Sequence, residues 1–267
     1  MEYRRLGKTN EKLSVIGMGT WRIGVFSSPE EKAKQTAAIR RGLDLGMNLI
    51  DTAEMYAGGR SEETVGEAIR ERRDDAFIAT KVSPENLSRT SVISSCNSSL
   101  KRLGTDHIDL YQVHWPNPSI PIEETMRAME ELVDQGKVRY IGVSNFSVPQ
   151  TEEAKSALRK NELASNQVEY SLVSRGVERD ILPYCERERI SLIAYTPLAR
   201  GSIPSSRFPA PIRERYGMTP AQMMLNWVTR SERVLAIPKT ARADHMEENA
   251  NSVSVRFTQE EYLSMAN

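Results

Sequence analysis

The 267-residue sequence holds few of the residues that build metal centres or disulfide scaffolds: two cysteines, Cys96 and Cys185, and three histidines, His107, His114 and His245. Both cysteines fall inside helical patterns without a metal-type neighbour and read as reduced, packed thiols. No H-x-H or H-x-x-x-H spacing occurs, so a zinc-type centre is not expected and the metal set is read as empty. Charge of one sign is not in excess, because Lys+Arg and Asp+Glu number 36 each. That balance argues against a nucleic-acid partner, while leaving room for a local basic pocket that takes a phosphate. No apolar run approaches the roughly 18 residues of a membrane span, and the opening MEYRRLGKTNEK lacks the apolar region of a signal peptide. No low-complexity segment or internal repeat is evident. The expectation is a cytoplasmic protein, monomeric or weakly self-associating, whose partner is a small molecule.

What is present is a regular alternation of short apolar runs and amphipathic stretches. Two extended runs, Tyr3–Leu6 and Leu13–Ile16, flank Gly7-Lys8-Thr9-Asn10 and read as a hairpin, with a plug over a barrel floor as one use for it. Runs suited to buried parallel strands follow at Met18–Thr20, Asn48–Ile50, Ala76–Thr80, Ile108–Val113, Val138–Val143, Ser165–Glu169, Leu192–Tyr195 and Val234–Ile237. Between them, Val92, Cys96, Leu100 and Leu103 share one helical face. Ile122, Met126, Met129 and Val133 share another, and Ala221, Met224, Leu225 and Val228 a third. Thr219-Pro220 reads as a helix start and Gln135-Gly136 as a stop. Eight strand–helix units without a linker favour a closed (β/α)₈ barrel with an N-terminal β-hairpin, spanning 1–267 as one domain, over an open doubly wound sheet. The open sheet would want G-x-G-x-x-G after its first strand; Gly17-Met18-Gly19 is followed by Thr20, Trp21 and Arg22, without the third glycine.

A barrel carries its chemistry at the C-terminal ends of its strands. The polar residues there are Asp51, Lys81, His114, Ser144, Asn145, Gln167 and Lys239, with Tyr56 on the loop after Asp51. Each alone has a bland reading: a helix cap, a solvated tip, a packed ring. Their placement after successive strands points instead to tuned proton transfer. A neighbouring ammonium favours the phenolate and lowers a tyrosine's pKa from its usual value near 10. Asp51 would keep Lys81 charged, and His114 would hydrogen-bond the same substrate oxygen. His107 precedes its strand, on the wrong side of a barrel, and reads as structural.

These residues lie in segments that resemble the aldo-keto reductase superfamily. Asp51-Thr52-Ala53-Glu54-Met55-Tyr56 with Ser61-Glu62 is similar to its D-T-A-x-x-Y…S-E segment. Leu103-Gly104…Asp106…Asp109-Leu110-Tyr111…His114-Trp115-Pro116 and Gly136-Lys137-Val138-Arg139…Gly142-Val143-Ser144-Asn145-Phe146 resemble two more. Asn166-Gln167-Val168-Glu169-Tyr170, Ala194 to Gly201 and Ile237-Pro238-Lys239-Thr240 follow in the family's order. The resemblance runs from the hairpin to about Asn249. It implies reversible reduction of small aldehydes and ketones, including sugar-derived ones, to alcohols. Tyr56 would be the proton donor, Lys81 and Asp51 would set its pKa, and His114 would orient the carbonyl. It implies a nicotinamide cofactor held by Gly19, Thr20, Asp51, Ser144, Asn145, Gln167 and Tyr195. Pro197, Leu198, Arg200 and Gly201 would lie along the pyrophosphate. Lys239, Thr240, Arg242, His245, Glu248 and Asn249 would contact the adenosine end.

Three regions that wall the substrate pocket in the family are short here: the loop after His114, the stretch from Ser202 to Gly217, and the tail. The pocket is expected to be open, lined by Trp21, Met55, Tyr56, His114 and Trp115. His245 stands where some family branches place an arginine that reads the 2′-phosphate. Lys239 and Arg242 compensate, so NADPH is expected in preference to NADH. Two other classes compete. A nicotinamide-binding regulatory subunit or redox sensor would show a damaged tetrad or an added interaction segment, and a metal-dependent barrel hydrolase or isomerase would keep activity without nicotinamide and lose it on chelation.

Overall fold

The computed structural model describes residues 1–202 and 208–266. Two short strands open the chain, β1 (Tyr3–Arg5) and β2 (Lys12–Ser14), paired antiparallel with Tyr3 opposite Ser14. Eight parallel strands follow: β3 (Met18–Gly19), β4 (Leu49–Asp51), β5 (Phe77–Val82), β6 (Ile108–Val113), β7 (Val138–Ser144), β8 (Leu163–Glu169), β9 (Ser191–Tyr195) and β10 (Val234–Ala236). They neighbour one another in chain order. The first and last meet through parallel bridges, Ile16 to Ala236 and Gly19 to Lys239. Gly17 and Gly19 N–H donate across that seam to the carbonyls of Ala236 and Pro238, at 2.8 and 3.1 Å. The result is a (β/α)₈ barrel. A Cβ on Gly19 would stand 2.6 Å from the carbonyl oxygen of Ile237, so the seam needs a residue without one. The Gly17-Met18-Gly19 run therefore serves barrel closure.

The helices are α1 (Pro29–Asp44), α2 (Arg60–Ile69), α3 (Arg89–Leu103), α4 (Ile122–Asp134), α5 (Val148–Ala157), α6 (Ile181–Glu188), α7 (Ala210–Tyr216), α8 (Pro220–Val228), α9 (Ala243–Ala250) and α10 (Gln259–Ala266). The start and stop signals hold. Thr219 caps α8 in a reciprocal box with Gln222, and α4 gives way at Gly136 with φ of 71°. The α4 stripe sits slightly off its expected centre: Met126 and Met129 are buried together with Ala128 and Leu132, whereas Ile122 and Val133 are only partly covered. Helices α7 and α10 carry no clear apolar period that would predict them from the sequence. Of the stretch from Ser202 to Gly217, residues 203–207 lie outside the described residues, and α7 fills most of what remains.

Alternation along each strand makes two cores. Outward strand residues such as Ile78 share one core with the helix residues that cover them, Val92, Cys96, Met126 and Leu225 among them. Inward residues form a separate apolar floor: Leu49, Phe77, Ala79, Leu110, Ala164, Ile193, Leu235 and Ile237, joined by Leu6 and Leu13 from the hairpin. Gly7 N–H donates to Ser191 Oγ at 2.8 Å, which fastens the hairpin across the barrel's N-terminal end. The hairpin is thus a plug.

Leu13 is fully buried in that floor. Leu13→Ala should lower stability by about 3 kcal/mol, within the roughly 2–5 kcal/mol range for such cavities. A urea midpoint equal to that of the parent would show that the plug contributes nothing.

Candidate active site

The same alternation that builds the floor places the polar groups above it. Leu49 points in, so Asp51 does too. Phe77 and Ala79 set the phase for Lys81, and Leu110 sets it for His114 just past β6. Tyr140 is in phase with Ser144, and Ile237 with Lys239. The successive strands thus end in a ring of polar side chains facing one mouth.

Lys81 is fully buried and Asp51 is 3% exposed. The Lys81 ammonium donates to Asp51 Oδ2 at 2.9 Å and to the Thr52 carbonyl at 2.7 Å. Gln167 Nε2 donates to Asp51 Oδ1 at 2.7 Å. Burial pushes the Asp51 carboxyl up and the Lys81 ammonium down, and their attraction opposes both. For Lys81 the attraction of Asp51 prevails, and its pKa lies above the ordinary lysine value. The ammonium stands 5.1 Å from the centroid of the Tyr56 ring. Burial raises the Tyr56 phenol above its ordinary value, and the pull of Lys81 opposes this without overcoming it. The expected lowering is therefore present as a contribution, but the net direction is upward, because desolvation of the phenolate outweighs one cation that Asp51 partly neutralises. The phenol is a protonated acid at neutral pH.

His114 is 3% exposed. Its ring meets Tyr56 edge-on at 5.6 Å and Trp115 in a stack at 4.2 Å. Burial, helped by repulsion from Lys81, pushes its pKa down to about 3. The imidazole is neutral, and its Nδ1 has no hydrogen-bond partner among the described residues.

A second group adjoins the first through Gln167. Ser144 Oγ donates to the Gln167 carbonyl at 2.9 Å, and Asn145 Nδ2 donates to Ser144 Oγ at 3.1 Å and to the His114 carbonyl at 3.0 Å. Tyr195 Oη donates to Asn145 Oδ1 at 3.0 Å. Asn145 holds a left-handed φ of 63°, as a residue re-aimed at a strand end does. Thr20 Oγ1 donates to the Asp51 carbonyl at 2.8 Å. Hydroxyls, amides and one aromatic face thus surround the mouth beside Asp51. After β9, Thr196, Ala199 and Arg200 take φ of 53°, 48° and 54°, followed by Gly201 at 87°. Such strained backbone gathers at ligand clamps. Pro197 is buried, Leu198 is partly buried, and Lys239 follows β10 in the bridge with Gly19.

The adenosine-end candidates sit on the β10–α9 connection and on α9 itself. Thr240 is buried and accepts the Arg242 N–H at 3.1 Å. Arg242 and His245 are exposed. Asn249 is buried, and Glu248 accepts the Thr219 hydroxyl at 2.6 Å, which ties α9 to the cap of α8. Trp21, Met55 and Trp115 are 51%, 50% and 42% exposed, standing as a loose apolar rim.

Sequence reasoning missed Arg22. Burial lowers the pKa of the Lys239 ammonium, and the charge of Arg22 adds to the shift; only its position after Trp21 pointed to it. The reading also left Ser61 and Glu62 without a role. Ser61 Oγ donates to Thr20 Oγ1 at 2.8 Å and lies 3.1 Å from Thr52 Oγ1. Glu62, fully buried, accepts from Thr80 Oγ1 and Arg102 Nε, each at 2.6 Å. The pair pins α2 to the strands that carry Asp51 and Lys81. Between Tyr56 and α2 the chain turns through Ala57, Gly58 and Gly59 at φ of 51°, 65° and 91°. A Cβ on Gly59 would meet Arg102 Cδ at 2.7 Å.

A buried ammonium, a protonated phenol and a neutral imidazole thus converge at one mouth of the barrel. The sequence profile of the aldo/keto reductase family matches residues 15–213, and the chain belongs to that family. The methylglyoxal reductase YeaE of Escherichia coli is 40% identical over 254 residues, covering 93% of this chain and 88% of that protein. The thermostable aldo-keto reductase Tm1743, crystallised with the inhibitor epalrestat, superposes with a TM-score of 0.94 at 40% identity, over 100% and 99% of the two chains. An aldo-keto reductase of Klebsiella pneumoniae in complex with NADPH gives 0.91 at 38% identity, over 99% and 93%. The chain is thus a carbonyl-reducing oxidoreductase.

The depressed His114 pKa has a consequence for stability. Unfolded, His114 takes up a proton near pH 6.5; folded, it resists until about pH 3. Its contribution is complete above the unfolded value and lost as pH falls toward the folded one. His114→Asn should flatten the decline in stability between about pH 6.5 and 4, read from urea midpoints. An unchanged slope would show that His114 titrates normally.

Proposed function

We propose that this enzyme reduces small aldehydes and ketones with NADPH, Tyr56 giving the proton and Lys81, Asp51 and His114 preparing it. The convergence of the Tyr56 phenol, the buried Lys81–Asp51 pair and the neutral His114 carries the reading. The donor set fits the cofactor. Ser144, Asn145 and Gln167 offer the hydroxyl and amides that a carboxamide needs, and Tyr195 offers a flat face for the ring. Arg22, Lys239 and Arg242, with the left-handed backbone after β9, suit phosphates. When bound, NADPH supplies the hydride; the barrel supplies aim and electrostatics.

His114 presents a neutral ring that orients the carbonyl oxygen without competing for its proton. Tyr56, kept protonated by burial, passes its proton to that oxygen as negative charge develops there. Lys81 then stabilises the phenolate, and Asp51 holds Lys81 charged and in place. Such positioned acid catalysis is worth about 10²–10⁴-fold, and placement of the reacting carbons about 7–11 kcal/mol. The loose rim of Trp21, Met55 and Trp115 favours small carbonyls over large rigid ones. A nicotinamide-binding subunit with little turnover would have no need of a protonated phenol beside a buried ammonium.

Tyr56→Phe should reduce aldehyde turnover by about 10² or more and change NADPH affinity little. Turnover is followed by nicotinamide absorbance across a panel of aldehydes, ketones and alcohols. Near-normal turnover in the variant would remove the proton-donor role.

A further inference from the structure

The β10–α9 connection holds an ion pair that bears on cofactor choice. Arg242 Nε donates to Asp244 Oδ1 at 3.0 Å, and Arg242 Nη2 donates to Asp244 Oδ2. Two parallel N–H bonds into one oxyanion form the fork geometry by which a guanidinium also grips a phosphate. The side of Arg242 best suited to a phosphate is therefore engaged by a carboxylate of the same chain. The backbone keeps the two together: Arg242 N–H is held by the buried Thr240 hydroxyl, and Asp244 lies in the first turn of α9. Contact with Arg242 holds the Asp244 carboxyl well below its usual range, so it is charged under any assay condition.

We propose that Asp244 is a cofactor-specificity residue: by occupying the Arg242 fork it weakens discrimination in favour of the 2′-phosphorylated cofactor. The inference rests on the reading that Arg242 faces the 2′-position of the adenosine. A 2′-phosphate seated on Arg242 must displace the carboxylate or share the guanidinium with it. Both cost affinity. A 2′-hydroxyl asks for no such exchange, so the cofactor lacking the phosphate is not penalised. The enzyme thereby accepts NADPH while discriminating less against NADH than its basic residues would allow. Both side chains are more than 60% exposed, so the pair adds little to folding and its loss leaves the barrel intact.

The probes are 2′,5′-ADP, which carries the 2′-phosphate, and ADP, which lacks it, titrated calorimetrically at low salt. Asp244→Asn should tighten 2′,5′-ADP by about 3- to 10-fold, an exposed-charge effect that shrinks as salt rises, and change ADP by less than about twofold. The kcat/KM ratio for NADPH over NADH should rise in step. In an Arg242→Ala background the same substitution should change 2′,5′-ADP affinity by less than about twofold, because no fork remains to be freed. Unchanged or weakened 2′,5′-ADP binding in Asp244→Asn overturns the proposal, as does an equal gain without Arg242. Wild-type enzyme that binds neither nucleotide would instead defeat the cofactor reading itself.

Discussion

The buried pair between Lys81 and Asp51 is the constraint around which this barrel is organised. Two opposite charges taken out of water cost several kcal/mol each unless their remaining donors and acceptors are filled. Here they are filled by main chain and side chain together: the Thr52 carbonyl takes one lysine proton and the Gln167 amide supports the carboxylate. The partners come from β4, β5 and β8. No local segment can assemble them, and only closure of the sheet brings β8 across from β4. The pair then fixes the environment of Tyr56, since the phenol is desolvated by the same packing that keeps the ammonium in reach.

Much of what surrounds the pair holds it still. Ser61 and Glu62 tie the first turn of α2 to Thr20, Thr52, Thr80 and Arg102, so the loop carrying Tyr56 is clamped at both ends. The left-handed turn from Ala57 to Gly59 is the geometric cost of bringing a helix so close behind the phenol. On the other side, Ser144, Asn145 and Tyr195 form a hydrogen-bonded chain that orients flat amides and a ring before any ligand arrives. Preorganisation of this kind lets a small number of groups act strongly, because little rearrangement remains when charge develops. The segment from Lys239 into α9 is different in character: Arg242 and Asp244 are exposed and paired with each other.

The barrel was legible in the sequence because its signal is repeated. Eight apolar runs of strand length, separated by helical periods, leave little freedom in fold class, and the strand limits differ from the expected ones by only one or two residues. Helices α7 and α10, which lack such a period, are short and are held by tertiary partners: Glu261 of α10 accepts from Tyr216 and Arg215 of α7, and the Trp227 indole donates to the Tyr262 carbonyl. Contacts between segments far apart in the chain leave no local periodicity to read.

The sequence by itself determined which chemical groups end each strand, since alternation with period two and the position of each apolar run fix which side chains turn inward and which lie at the mouth. It could not determine the sign of the Tyr56 shift, because burial and the neighbouring cation act in opposite directions and only packing decides their balance. Nor could it show that Arg242 is already engaged by Asp244, or that Ser61 and Glu62 serve as fasteners. Those facts depend on distances of a few ångströms between side chains whose rotamers the folded neighbours select. Strand pattern is a property of the chain, whereas dielectric surroundings and charge pairing arise only once the barrel has closed.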